Sequence, residues 1–138
     1  MARFVFISFL LIMSGIAATS QTLQLTITNI RNAKGNLVIG IYKDQASFDK
    51  ETPFKNVVLD KGSNVVNGVL KATVSIEPGT YGVSLLDDEN ADNKMNYTWY
   101  GMPEEGFGFS DYYHKGWSKP KVSSFSVTVI PGMATPAE

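Results

Sequence analysis

Oxygen-bearing side chains alternate along one short acidic stretch of the chain, at Asp88, Asn90 and Asp92. Alternate positions in a tight loop aim several oxygens at one point, and Ca²⁺ takes about six to eight oxygen ligands in this way. The backbone carbonyl of Lys94 and the side chain of Asn96 would continue the same ligand set. The stretch therefore predicts a hard-cation site, with Ca²⁺ as the candidate cofactor.

The same stretch departs from a calcium-binding EF-hand loop at two positions. Trp99 stands where the loop has its bidentate glutamate, and Asn93 stands where glycine makes the sharp turn. Glu104 or Glu105 could replace the missing carboxylate only if the chain folds back. The alternative interpretation is a solvated acidic turn without a metal, and the spacing alone leaves both open.

Aromatic residues are concentrated in residues 97–117, with four glycines interleaved. Flat rings stack on sugar faces or peptide groups at low entropic cost, and Tyr and Trp keep a polar edge. One interpretation is a surface for an extracellular glycan or an envelope protein, and the other is a long loop packed over one end of the fold. We expect Phe107 and Phe109 to point inward. The candidate ligand-binding residues are Trp99, Tyr100, Tyr112, Tyr113 and Trp117.

Groups suited to catalysis are few, and we assign no catalytic residue. Ser110 and Asp111 lie close in sequence to the single histidine, His114, but nothing there resembles a nucleophile elbow. The carboxylates of Glu104 and Glu105 would suit acid–base chemistry on a glycoside. We therefore expect a non-catalytic binding or structural module, with a small envelope glycan hydrolase or lyase as the alternative.

The composition narrows the classes of partner and cofactor. The 138 residues suffice for one domain, and 12 basic against 13 acidic residues argue against nucleic acid as a partner. The chain has no cysteine, which excludes disulfides, thiolate catalysis and iron–sulfur clusters. A single histidine excludes a multi-histidine metal site.

The first twenty residues have the layout of a secretory signal peptide. Arg3 precedes an apolar run from Phe4 to Met13, and small residues follow at 17–20. The run is short for a bilayer span of about 20 residues, so we expect no transmembrane anchor after processing. The predicted location is therefore secreted or periplasmic.

The remaining chain alternates between short apolar strands and turns. Period-two alternation predicts strands at residues 22–30, 37–42, 54–59, 65–76, 80–86, 97–100 and 125–130. The first two are expected to form an antiparallel hairpin, and Asp44 is expected to cap a helical turn. We predict an all-β, antiparallel β-sandwich of about seven strands with a long aromatic loop. Its single domain spans residues 21–132, and residues 133–138 form a disordered tail.

Two motifs resemble those of a bacterial secreted family known as domain of unknown function 2141. Residues 86–95, LDDENADNKM, are similar to the family's HDENGNGKxD loop, and residues 101–110, GMPEEGFGFS, are similar to its GxPxEGxGFS motif. This chain departs from the first motif, since Asp87 replaces the usual histidine and Ala91 and Asn93 replace glycines. The resemblance implies no established biochemical role.

A third motif bears on the fold alone. Residues 78–81, PGTY, are similar to a turn of transthyretin-like (prealbumin-like) and carboxypeptidase-regulatory-like β-sandwiches. That resemblance implies a transthyretin-like fold and carries no activity with it.

Overall fold

The computed structural model describes residues 21–116, 118–132 and 134–138, which form a mostly β structure. The signal peptide predicted for residues 1–20 and the candidate residue Trp117 lie outside these ranges. None of the helices in the described ranges is long and apolar enough to cross a membrane. The elements are β1 (Thr22–Ile27), β2 (Asn36–Tyr42), α1 (Gln45–Asp49), β3 (Lys55–Asp60), β4 (Leu70–Ser75), β5 (Gly79–Asp88), β6 (Gly106–Phe109), β7 (Ser126–Val129) and β8 (Ala134–Ala137).

The larger sheet has five strands and is organised around β5. Its order is β3-β2-β5-β6, with β7 also paired to β5. The ten-residue β5 pairs antiparallel with β7 through its first half and with β6 through its second half. In the second half Asp87 lies opposite Gly106. The carboxyl end of β5 therefore meets the start of β6 where the acidic stretch begins.

The smaller sheet has three strands in the order β4-β1-β8. β1 pairs antiparallel with β4 and parallel with β8, so the sheet is mixed. The antiparallel hairpin expected for β1 and β2 is wrong, because residues 28–35 carry the chain from this sheet to the other. The prediction of a disordered tail is also wrong for residues 134–137, because these residues pair with β1 and form a strand.

One apolar cluster joins the inner faces of the two sheets. Alternate residues of β1, β2, β4, β5 and β7 are buried there, as the period-two patterns predict. Full burial of each such side chain contributes about 1.5–3 kcal/mol of hydrophobic stabilisation. Of the predicted all-β antiparallel sandwich, the mostly-β class is confirmed, the parallel pairing of β1 with β8 departs from the prediction, and the transthyretin-like topology stays a prediction. The most buried members are Leu23, Leu37, Ile39, Ile41 and Val129.

A second, aromatic cluster lies under α1. Tyr42, Phe48, Val122 and Phe125 are buried together, and the ring of Phe48 lies 5.2 Å from that of Phe125. The helix begins as predicted, with Asp44 Oδ1 accepting the N–H of Ser47 at 2.7 Å. Phe109 of β6 packs against this cluster, so its ring anchors the middle of the aromatic segment, residues 97–117.

The aromatic segment differs from its predicted secondary structure. The strand expected at 97–100 is absent there, because residues 98–101 turn and Tyr97 forms only an isolated bridge to Pro103. The strand lies instead at Gly106–Phe109, as β6. This placement returns the residues just before β6 to the acidic stretch.

Candidate functional site

The acidic stretch forms a tight loop that leaves β5 at Asp88. Asp88 is fully buried, and its two carboxylate oxygens accept the backbone N–H groups of Asp92 (3.1 Å) and Asn93 (2.7 Å). The N–H of Asp92 also donates to Asn90 Oδ1 at 3.0 Å, and Asp92 Oδ1 accepts the N–H of Lys94 at 2.9 Å. The loop is therefore wound around the carboxylate of Asp88.

Two residues of the loop adopt left-handed backbone conformations. Ala91 has φ of 59° and Asn93 has φ of 59°. Asparagine tolerates this region better than other residues with a Cβ, whereas alanine is strained there by about 1–2 kcal/mol. Ala91 therefore stores strain in the turn that aims Asp92.

Glu105 takes the place of the carboxylate that an EF-hand loop has at its last position, where this chain has Trp99. Because Asp87 lies opposite Gly106, the antiparallel register places Glu105 beside Asp88. Carboxylate oxygens of Asp88, Asp92 and Glu105 lie within 4.8 Å of one another. The chain thus folds back as the cation hypothesis requires, through Glu105 and not through the exposed Glu104.

The environment of Glu105 opposes its charge. Its Oε2 atom is closed to solvent and has no hydrogen-bond partner among the described residues. Burial raises the pKa of Glu105, and the nearby carboxylates of Asp88 and Asp92 raise it further. The backbone N–H groups of Asn96 and Asn90 act in the opposite direction. A cation placed among the three carboxylates would satisfy this orphan oxygen and relieve the repulsion.

The other two predicted ligands, Lys94 and Asn96, differ in their exposure. Lys94 is exposed, while Asn96 is half-buried and its backbone faces Glu105. The carbonyl oxygen of Asn96 accepts the N–H of Glu104 at 2.8 Å, which fixes the chain as it returns toward β6. In this loop Asn96 orients Glu105 through its backbone.

A model of an uncharacterised protein family conserved in bacteria (DUF2141) matches residues 25–136. The chain belongs to this family. No curated protein and no solved structure matches significantly.

The departures of this DUF2141 chain from the family's loop motif have structural consequences. The two family glycines are replaced at Ala91 and Asn93, which are the two left-handed positions of the loop. The usual histidine is replaced by Asp87, which is buried against the Nζ atom of Lys61. The left-handed backbone at positions 91 and 93 therefore explains the glycines of the motif. The replacement of histidine by Asp87 introduces an ion pair with Lys61.

The predicted aromatic residues do not converge on one surface. Trp99 is 95% exposed, and its ring contacts Tyr100 edge-on at the tip of the turn. Tyr112 and Tyr113 instead line a cavity of about 670 Å³ that also includes Asp111 and Glu138. Trp117 lies outside the described residues. The four described aromatics therefore belong to two separate regions.

A groove that sequence reasoning missed lies on the outer face of the larger sheet. Its volume is about 790 Å³, its floor is formed by β2, β5 and β6, and residues 93–103 form one wall. Phe107 is half-exposed toward solvent, contrary to the expectation that it points inward. The sequence signal for this groove was the alternation of Gly and Phe in β6, which places both Phe side chains on one face of the strand. The lining includes Tyr42, Ser84, Leu86, Met95, Tyr97, Met102, Phe107, Phe109 and His114.

The groups considered for nucleophilic catalysis have structural hydrogen bonds. Ser110 Oγ donates to the carbonyl of Phe125 and accepts the N–H of Val83 at 3.3 Å. Asp111 Oδ1 accepts the N–H of Glu138 at 2.8 Å. In the described ranges, His114 forms no hydrogen bond with either residue, and its Nδ1 atom is buried without a partner.

Proposed function

We propose that the chain is an exported, non-catalytic binding module whose acidic loop binds one Ca²⁺ ion and thereby shapes the neighbouring groove. Two observations carry the proposal: carboxylate oxygens of Asp88, Asp92 and Glu105 lie within 4.8 Å of one another, and Oε2 of Glu105 has no hydrogen-bond partner among the described residues. Carboxylate oxygens suit Ca²⁺, which accepts irregular coordination completed by carbonyl groups and water.

The electrostatics of the loop favour this reading over a solvated acidic turn. A solvated turn holds its carboxylates in water, where like charges are screened. Here Asp88 is fully buried and Glu105 is partly buried, so these two charges meet where screening is reduced, and the exposed carboxylate of Asp92 lies beside them. Backbone N–H groups compensate Asp88, but Glu105 Oε2 has no such donor among the described residues.

Thermal unfolding tests the cation. The midpoint of the purified protein is measured with chelator, with millimolar Ca²⁺ and with Mg²⁺ at the same concentration. A ligand that binds only the folded state at a hundredfold excess over its Kd stabilises it by about 2.7 kcal/mol. We expect Ca²⁺ to raise the midpoint in the parent and not in Asp92→Asn. An unchanged midpoint in millimolar Ca²⁺ would remove the metal from the proposal.

We further propose that the groove takes a carbohydrate. Exposed ring faces at Tyr97 and Phe107 offer stacking surfaces, and Ser84 and His114 offer polar partners for hydroxyl groups. The wall formed by residues 93–103 begins in the acidic loop, so binding of a metal ion there would hold this wall of the groove in place. The fold underlying this surface is proposed to be a transthyretin-like β-sandwich.

Titration with chitotetraose, a soluble N-acetylglucosamine oligomer, distinguishes binding from catalysis. We expect saturable binding that is weakened by Phe107→Ala and retained by Tyr113→Ala, which lies outside the groove. The same mixture, kept for hours and analysed for shorter products, tests the alternative of a glycan hydrolase or lyase. Product formation lost in Glu104→Gln or Glu105→Gln would replace the binding module by that enzyme.

A further inference from the structure

A lysine and an aspartate form a buried ion pair beside the acidic loop. Lys61, which follows β3, is 0% exposed, and its Nζ atom lies 2.5 Å from Oδ1 of Asp87, whose side chain is 10% exposed. Lysine is rarely buried unless it is paired, and taking both charges out of water is costly.

A side-chain amide completes the site. Oδ1 of Asn32, in the connection between β1 and β2, lies 3.4 Å from Nζ of Lys61. The same oxygen accepts the backbone N–H of Lys34 at 2.9 Å. A donor at this distance polarises the amide carbonyl and stabilises negative charge on its oxygen. A primary amine, a polarised amide and a carboxyl group therefore meet at one point.

We propose that Lys61 and Asn32 become joined by an intramolecular isopeptide bond. The amine of Lys61, having passed a proton to Asp87, attacks Cγ of Asn32, and the carbonyl electrons move to Oδ1 opposite the N–H of Lys34. The new N–C bond is kept, the Cγ–Nδ2 bond breaks, and Asp87 returns its proton to Nδ2. The second amine proton leaves through Asp87, so the products are one amide and one ammonium ion.

Asn32 is the favoured partner because each group then has one role. Lys61 is the nucleophile, Asn32 supplies the carbonyl carbon, and Asp87 carries protons between the two nitrogens. A bond from Lys61 to Asp87 itself would consume the proton carrier and release water. The chain has no cysteine, so this amide would be its covalent cross-link, tying the β1–β2 connection to the end of β3.

Mass spectrometry of the full chain tests the bond. We expect the protein to weigh one molecule of ammonia less than the mass calculated from its own first residue to its last. Because an asparagine that cyclises loses the same mass, tryptic mapping must show a branched peptide joining residues 32–34 to residues 56–71. We expect Lys61→Met and Asp87→Asn to restore the full mass, and the exposed Lys50→Met to keep the loss.

Two outcomes would overturn the proposal, and neither depends on a variant that folds. One is a protein of full calculated mass, cleaved normally by trypsin after Lys61. The other is the loss of one water molecule with a branch between Lys61 and Asp87. Both leave the calcium proposal untouched, since the thermal response to Ca²⁺ is measured separately.

Discussion

Replacement of Glu105 by Gln should change the stability in opposite directions without and with Ca²⁺. In chelator, the variant removes a charge that lies within 4.8 Å of carboxylate oxygens of Asp88 and Asp92. Each pair costs about 3.5 kcal/mol at an effective dielectric constant of about 20 and about 1 kcal/mol in water. Because Asp92 is exposed, we expect the lower figure to hold, and a net gain of about 1–2 kcal/mol.

The pH dependence of this difference has a defined sign. Burial and the neighbouring carboxylates raise the pKa of Glu105, so the folded state binds this proton more tightly than the unfolded state. The penalty on the charged form is absent below the ordinary glutamate pKa of about 4.3 and develops as the pH rises through the folded-state value. The advantage of Glu105→Gln in chelator should therefore vanish near pH 4 and grow as the pH rises above the ordinary glutamate pKa.

Calcium should invert the order of the two proteins. The parent gains about 2.7 kcal/mol at a hundredfold excess over its Kd, whereas the variant keeps two of three carboxylates and gains less. Urea unfolding with chelator and with millimolar Ca²⁺ measures all four free energies, with the exposed Glu104→Gln as the matched control. A variant that is less stable than the parent in chelator at pH 7 would refute the reasoning about repulsion.

Three further variants test the local geometry by chemical unfolding. Ala91→Gly should stabilise the protein by about 1 kcal/mol, since glycine removes the left-handed strain, and an equal loss would contradict this. Gly35→Ala should cost about 3 kcal/mol or more, because φ is +68° and the new Cβ would meet the carbonyl oxygen of Asp88; tolerance would show that this turn is mobile. Asp44→Ala should cost about 1 kcal/mol through loss of the helix cap, and no change would deny the cap an energetic role.

The strands could be predicted where alternation and burial coincide. β1, β2, β4, β5 and β7 have apolar residues at every second position, and the structure buries these residues. Their pairing could not be predicted, because periodicity defines a strand's face and not its neighbour. The hairpin inferred for β1 and β2 failed for this reason.

β6 and β8 were missed because their residues carry weak local signals. β6 is GFGF, and glycine at alternate positions is typical of loops; β8 contains Pro136 among small residues. Both strands are held by long-range pairing with strands that were recognised. Since the register of β6 brings Glu105 to Asp88, missing β6 also hid the third carboxylate of the candidate site.

The position of β8 has a consequence for when the smaller sheet can form. Among the strands in the described ranges, β1 comes first along the sequence and β8 last, yet they are adjacent, with Thr22 opposite Ala134. A polypeptide that emerges amino end first, from a ribosome or through a translocation channel, lacks this partner until residues 134–137 have also emerged. The smaller sheet would therefore form late, and the emerging chain would remain extended enough to pass through a channel until then.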